Sequence, residues 1–323
     1  MNADPRDTPV AVIGLGLMGS SIIACLLAAG HPVLGLTRDV HKRAESRAHI
    51  ADLLRQMRDE GLLQDDPESL LARFEIGDDY TALSDRSVII ESIIENWDAK
   101  KEILRRVEEN AAPDALIGSN TSSIPVTLMQ NEAKIPGRVL GIHWAEPAHI
   151  TRFMEIICGE KTGAAFAQRA VDLARGWGKE PTLVKKDIRG FITNRIMYAM
   201  LREAFFLVEN GYATPADVDR SLRNDLGWWI TFAGPFRFMD LTGIPAYAAV
   251  MKDLLPELDC SKEIPRLMRE TVESGARGVS NAKGFYTYTE ESARRWEELF
   301  LKFSYEIRAL AQKYPEHIGD VHS

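Results

Sequence analysis

A short apolar run at residues 10–13 leads directly into Gly14-Leu15-Gly16-Leu17-Met18-Gly19, and residues 20–29 then carry Ile22, Ile23, Leu26 and Leu27 at helical spacing. A strand, a G-x-G-x-x-G turn and a helix form a demanding combination, because each glycine answers a different steric need. Gly14 makes the tight turn, Gly16 lets the backbone approach a pyrophosphate, and Gly19 lets the helix pack on the strand. The helix start then offers free N–H groups and the positive end of its dipole to phosphate oxygens. The whole stretch from Gly14 to Gly19, with Leu15, Leu17 and Met18 included, is therefore expected to bind a dinucleotide.

The second strand, residues 32–36, is expected to end in an acidic residue when the cofactor ribose carries a free 2′-OH. Here the chain reads Leu36-Thr37-Arg38-Asp39. Thr37 stands where an Asp is expected, and Arg38 is a cation able to pair with a 2′-phosphate. The cofactor is accordingly NADP or NAD, with Thr37-Arg38 favouring NADP and Asp39 keeping NAD open.

Residues 41–73 read as helical and charged, a solvated face in the main. Further strands are expected at 74–76, 87–91, 115–118, 139–142, 153–157 and 181–184, with helices at 98–109 and 161–177. Gly190 changes the pattern. From Phe191 onward the apolar period is helical: Ile192, Ile196, Met197, Met200, Leu201, Ala204, Phe205 and Val208 recur at threes and fours. That helix is more apolar than a surface helix needs, so a buried setting is expected, between subunits if not within one. Thr214-Pro215 and Gly234-Pro235 mark helix starts, another helix is expected around 261–274, and residues 290–313 form a charged terminal helix. Two domains follow: an α/β unit at 1–187 and an all-helical unit at 188–323.

The 323 residues are 45% hydrophobic and 27% charged, with a net charge of −8, which argues for a globular protein and against nucleic acid or anionic membrane as a partner. No apolar run approaches the roughly 20 residues of a membrane span. The polar opening MNADPRDTP and three widely spaced cysteines fit a cytoplasmic protein, and no metal-ligand spacing is present.

Two apolar runs end abruptly in polar groups: 116–118 in Ser119-Asn120-Thr121-Ser122-Ser123, and 139–142 in His143. In an open parallel sheet, ligands sit past the carboxyl ends of strands, so Ser122 and His143 are candidates to meet there. Glu155, in the run 153–158, could return to the same place. A hydroxyl, an imidazole and a carboxylate can form a general-base site in which the carboxylate orients the ring. Serines after strands are more often turn formers or helix caps, which remains the plainer reading of Ser122 by itself.

Five features in order resemble the 3-hydroxyacyl-CoA dehydrogenase family: GLGLMG at 14–19, ESIIEN at 91–96, SNTSS at 119–123, GIHWAEP at 141–147 and DIRGFITNR at 187–195, with Lys283-Gly284-Phe285-Tyr286 similar to that family's closing motif. The resemblance spans residues 10–288. It implies a Rossmann-like dinucleotide-binding domain followed by an all-α domain that dimerises, and a homodimer is expected through residues 191–290. It further implies His143 as catalytic base, Glu155 as its carboxylate partner, and Ser122 and Asn194 as the groups holding the substrate oxygen. Glu95, Lys100 and Asn120 fall where the family contacts its cofactor. The implied reaction interconverts a secondary alcohol and a ketone against NAD(P).

The chain departs from the acyl-CoA members at the base, where their His-Phe-Phe-Asn-Pro is His143-Trp144-Ala145-Glu146-Pro147 here. Trp144 and Glu146 are thus expected to shape the substrate pocket, and Arg152 is a cationic fork that could hold a substrate carboxylate. No lysine run for CoA phosphates follows the second strand; Asp59, Glu60, Asp65, Asp66 and Glu68 make that stretch acidic. The helical domain looks closer to relatives acting on free hydroxy acids, such as L-gulonate 3-dehydrogenase and lambda-crystallin, or on pyridine carboxylates. A free small carboxylate-bearing substrate is expected, with a 3-hydroxybutyryl-CoA type activity as the alternative and a non-catalytic dinucleotide-binding redox sensor or structural protein as a remoter one. His149 is a rival base, expected at a surface or substrate-rim position.

Overall fold

The computed structural model describes residues 7–39 and 41–314. The chain divides into two compact units between Arg195 and Ile196. In the first, eight strands make one sheet: β1 (Val10–Ile13), β2 (Val33–Leu36), β3 (Phe74–Gly77), β4 (Val88–Glu91), β5 (Leu116–Ser119), β6 (Val139–Trp144), β7 (Phe153–Ile157) and β8 (Glu180–Val184). Their order is β3-β2-β1-β4-β5-β6-β7-β8. Pairings are parallel except β6 with β7. The central strands are four-residue runs such as VAVI and VIIE, buried on both faces, as expected where helices cover a sheet from both sides.

Helices α1 (Leu17–Ala28), α2 (Lys42–Asp59), α3 (Pro67–Leu71) and α6 (Ala164–Gly176) close one face, with Ile22, Leu26, Leu54 and Ala170 packed against Val10, Val12, Leu140 and Ile156. Helices α4 (Trp97–Asn110) and α5 (Val126–Glu132) close the other through Leu104, Val107 and Met129 on Ala11, Ile89 and Ile117. Helix α5 lies where no element was expected, because its seven residues present too short an apolar period to read. The charged stretch 41–73 is two helices broken at Asp66, whose carboxylate accepts the Ser69 amide as an N-cap.

Strand β6 extends through His143 to Trp144, beyond the expected end at 142. Its antiparallel pairing with β7 sets His143 directly opposite Glu155. Residues 187–195 stay with the first unit, past the boundary expected at 187/188. Asp187 accepts from the Thr127 amide and hydroxyl, and Phe191 is buried beside Val126, Ile157 and Val184.

The second unit is all-helical: α7 (Thr193–Glu209, begun in the first unit), α8 (Pro215–Asn224), α9 (Leu226–Ile230), α10 (Pro235–Thr242), α11 (Ile244–Leu254), α12 (Arg266–Glu273) and α13 (Glu290–Ala311). Thr214 and Thr289 begin α8 and α13 with reciprocal capping boxes. Phe285 of the KGFY motif packs edge-on against Phe205 of α7. The buried setting expected for the apolar helix is met at Phe191 itself, whereas no residue of α7 is buried within the single chain.

His149, the rival base, is neither at the surface nor at a rim. Its backbone N–H donates to Ser21 Oγ on α1 (3.1 Å), so the Ser21 hydroxyl is free to donate to Nδ1 (2.8 Å). That leaves the proton on Nε2, directed at Gln56 Oε1 of α2 (3.2 Å), and the neutral ring is satisfied on both sides. Burial, with lesser contributions from Lys179 and His49, lowers its pKa to about 4. An unfolded histidine titrates near about 6.5. As pH falls below that value the unfolded chain takes the proton and the folded chain does not. The stability His149 contributes is therefore complete above roughly pH 6.5 and is lost progressively down to about pH 4, by up to about 3 kcal/mol. His149→Gln is expected to flatten the unfolding free energy over this window relative to the parent in denaturant titrations. Parallel pH profiles for the two proteins would contradict it.

Candidate active site

The carboxyl ends of β1, β2, β4 and β5 open onto a cavity of about 1150 Å³, large enough for an extended dinucleotide-sized ligand. Its floor is the Gly14–Met18 turn. Gly14 has φ +99°, and a Cβ there would lie 2.4 Å from the Ser92 carbonyl oxygen; one on Gly19 would lie 1.9 Å from that of Gly14. A Cβ on Gly16 would meet nothing within 4 Å, so this backbone lies bare to the cavity. The tight turn, bare amides and helix start fit a pyrophosphate. Thr37, Arg38, Asp39 and Lys42 form the wall after β2, facing Tyr80 and Arg106, whose guanidinium lies 3.7 Å over the Tyr80 ring. Neither of those two carried a motif, and nothing in the sequence marks them. Arg38 has no hydrogen-bond or ion-pair partner among the described residues. Asp39 accepts the His41 amide (3.0 Å), and its own amide donates to Thr37 Oγ1 (3.3 Å).

At the other end of the cavity lie Glu95, Asn120, Ser122, Trp144 and Glu146. Asn120 joins its neighbours by donating to Ser92 Oγ (3.2 Å) and accepting the Trp144 amide (2.9 Å). Burial pushes the Glu146 carboxyl above its ordinary pKa, opposed in part by the Ala148 amide. Trp144 stacks on Trp177 at 5.4 Å and is almost wholly buried.

Beside this end, His143 Nδ1 lies 2.9 Å from Glu155 Oε2. A carboxylate can only accept here, so the neutral ring carries its proton on Nδ1 and a lone pair on Nε2. Nε2 has no partner among the described residues. The Phe153 and Phe191 rings flank the imidazole at 5.5 Å each. The second oxygen of Glu155 accepts the Ile192 and Thr193 amides (3.1 and 3.0 Å). Those amides are aimed by a left-handed turn, Gly190 at φ +80° and Phe191 at φ +52°. A non-glycine residue held at positive φ is strained, and such strain persists where surrounding contacts over-determine it. Burial raises the Glu155 pKa, but the His143 hydrogen bond, the two amides and the His143 charge outweigh it, and the net shift is downward.

Asn194 Nδ2 donates to the Ser122 carbonyl (3.2 Å), so these two expected partners meet. The Ser122 hydroxyl has no partner among the described residues, and Ser122 lines the cavity. Of the expected site residues, His143, Glu155, Asn194, Lys100 and Arg152 are not among those lining the cavity, and the last two are engaged by acids. Lys100, expected to contact the cofactor, is 3% exposed and does not line the cavity; its ammonium pairs with Glu91 (2.7 Å) and Glu95 (3.5 Å). Arg152, expected to hold a substrate carboxylate, pairs with Glu180 of β8 and is likewise off the cavity wall. In both, the sequence shows a cation near the site but not the acid that claims it. No group of metal-ligating side chains occurs among the described residues, and no described helix is long and apolar enough to cross a membrane.

Residues 9–188 match the 3-hydroxyacyl-CoA dehydrogenase NAD-binding domain, and residues 190–288 match the C-terminal domain of the same family. The chain is 32% identical over 287 residues to a 5-formyl-3-hydroxy-2-methylpyridine 4-carboxylate 5-dehydrogenase of Mesorhizobium japonicum, covering 88% of this chain and 92% of that one. It is 30% identical over 278 residues to a probable 3-hydroxybutyryl-CoA dehydrogenase of Deinococcus radiodurans, covering 86% and 99%. Among solved structures, an enzyme of the first kind, an NAD+-dependent dismutase, superposes with a TM-score of 0.88 at 28% identity, over 95% of this chain and 99% of that one. The (S)-3-hydroxybutyryl-CoA dehydrogenase of Ralstonia eutropha superposes at 0.73 and 29% identity, over 87% and 99%.

Proposed function

The chain belongs to the 3-hydroxyacyl-CoA dehydrogenase family of NAD-dependent oxidoreductases, and from that premise we propose that it interconverts a secondary alcohol and its ketone on a free, small, carboxylate-bearing substrate. The observation that carries the chemistry is the buried hydrogen bond between His143 Nδ1 and Glu155, which leaves Nε2 as a proton acceptor. Nε2 of His143 takes the hydroxyl proton as the O–H electrons form the carbonyl. The nicotinamide, when bound, accepts the hydride from the same carbon. Glu155 holds the ring tautomer and balances the imidazolium. Ser122 and Asn194 hydrogen-bond the oxygen in both its hydroxyl and carbonyl forms. A non-catalytic dinucleotide-binding protein would have no use for all four groups together.

A free substrate is supported by Trp144 and Glu146 at the cavity wall and by the acidic stretch 59–68, which offers nothing to CoA phosphates. The pyridine-carboxylate enzyme also superposes over more of the chain than the acyl-CoA enzyme does. A 3-hydroxyacyl-CoA substrate is the second reading, favoured by the several acyl-CoA relatives. Exposed apolar side chains of the helical unit, Ile196, Tyr198, Trp228 and Phe236 among them, are what a second copy would cover in a homodimer. Free thiols at Cys25, Cys158 and Cys260 support a reducing compartment such as the cytoplasm.

At the adenosine end the cofactor preference is for NADP(H), supported by Arg38, which has no hydrogen-bond or ion-pair partner among the described residues, and by the occupation of Asp39 with the His41 amide. A charge-assisted contact is worth roughly 1.5–3 kcal/mol, about a ten- to hundredfold preference.

Nicotinamide absorbance followed across free hydroxy acids, pyridine carboxylates and 3-hydroxyacyl-CoAs is expected to find turnover on a free acid. His143→Gln is expected to lower that turnover by on the order of a hundredfold while NADH affinity changes little. Turnover confined to CoA thioesters would replace the substrate reading, and a near-active His143→Gln enzyme would remove His143 as base. For the cofactor, kcat/KM is expected to favour NADP(H) in the parent and to swing toward NAD in Thr37→Asp/Arg38→Ala. A parent that already prefers NAD would overturn this reading of the second strand.

A further inference from the structure

Glu95 stands between β4 and α4, and its Oε1 gathers four donors from three consecutive residues of the loop after β5. These are Thr121 Oγ1 (2.6 Å), the Ser122 amide (3.1 Å), the Ser123 amide (2.9 Å) and Ser123 Oγ (3.1 Å). Thr121 is fully buried, and its hydroxyl oxygen in turn accepts the Ser123 and Ile124 amides. The other carboxylate oxygen of Glu95 faces Lys100 Nζ at 3.5 Å. Lys100 is anchored on Glu91 Oε1, and Glu91 Oε2 accepts from Ser119 Oγ (2.5 Å) at the end of β5. A chain of charges, buried at Glu91 and Lys100 and exposed at Glu95, thus runs from the end of one strand to the loop that leaves the next.

We propose that Glu95, backed by Lys100, is a positioning residue that fixes the loop 121–123 and so aims the Ser122 hydroxyl at the reacting oxygen. The proposal rests on the dehydrogenase reading of Ser122. The Ser122 backbone is held at both ends, its N–H by Glu95 and its C=O by Asn194, while its hydroxyl is left without a partner among the described residues. Such a residue has little freedom beyond rotation about χ1, which suits a group that must meet one atom. Burial pushes the Glu95 carboxyl up, but the Thr121 hydrogen bond, the Lys100 charge and the Ser123 donors prevail, and it stays ionised at neutral pH. Glu95 also lines the cavity, so a simple cofactor contact is the competing account.

Thr121 separates the two, because it is 0% exposed and does not line the cavity. Thr121→Val removes the hydroxyl that donates to Glu95 and preserves the side-chain shape. With a turned-over substrate, kcat in Thr121→Val and in Glu95→Gln is expected to fall about tenfold or more, since misplacement by about 1 Å can cost a hundredfold. The NADH dissociation constant of Thr121→Val, read by fluorescence titration, is expected to stay within about threefold, and Thr121→Ser to restore kcat. Glu95→Gln in a Ser122→Ala background is expected to cost no more than about threefold further, because the two residues act as one unit. Hydrogen exchange of the peptide covering 119–126 is expected to accelerate in Glu95→Gln and Thr121→Val. Weakened NADH binding in Glu95→Gln with kcat retained, or unchanged exchange in that peptide, would overturn the proposal. If the parent turns over no compound of the panel, the dehydrogenase reading of Ser122 fails with it, while exchange still decides whether Glu95 orders the loop. Should Thr121→Val fail to fold, Glu95→Gln and its double mutant decide between positioning and cofactor contact.

Discussion

The antiparallel pairing of β6 with β7 is the constraint on which the site depends. Every other neighbouring pair in the sheet is parallel, and parallel strands bring only their carboxyl ends to one edge. The one reversal carries a carboxylate back to the same edge and sets Glu155 opposite His143. A register slip of a single residue would send one of the two side chains to the opposite face of the sheet. Both are buried, so a slipped Glu155 would be an uncompensated charge in a low-dielectric interior, which is far more costly than the pair itself. Register, burial and the His143–Glu155 hydrogen bond are therefore one requirement.

The remaining parts serve that requirement from outside the sheet. Gly190 and Phe191 turn the chain through a left-handed conformation so that the amides of residues 192 and 193 satisfy the second oxygen of Glu155. Asn194, one residue further on, reaches the Ser122 carbonyl. Residues 190–194 thus both satisfy the Glu155 carboxylate and brace the loop that carries Ser122. Glu95, between β4 and α4, accepts from the same loop and is backed by Lys100 of α4. Ser122 is clamped between two polar networks, whereas the cavity's phosphate end is bare backbone.

Much of this was legible in the sequence. The Gly14–Gly19 turn, the strand ends at Ser119 and His143, and the return of Glu155 could be read because abrupt changes from apolar to polar mark the carboxyl ends of buried strands. The SNTSS and HWAEP motifs marked Asn120, Ser122, Trp144 and Glu146, which line one cavity. Partners distant in sequence were not legible. Arg152 read as a cationic fork for a carboxylate, and Lys100 as a cofactor contact by resemblance, while the acids that pair with them, Glu180 and Glu91 with Glu95, lie on other elements. His149 read as a surface residue because its loop position hid the approach of Ser21 and Gln56 from two helices. Helix α5 and the Tyr80–Arg106 wall carried no periodic or motif signal at all. The apolar face of α7 was visible as a pattern, but the pattern does not tell which surface covers it.

The central claim is that Glu155 supports the charged form of the base rather than merely filling space behind it. The most direct measurement is the pH dependence of kcat/KM for alcohol oxidation in the parent and in Glu155→Gln, an isosteric change that keeps an acceptor beside Nδ1. If the carboxylate balances the imidazolium, its loss disfavours the protonated ring, and the acid limb of the profile moves to lower pH by about one unit or more, with lower turnover throughout. An acid limb superimposable on that of the parent would show that the proton is taken by another group.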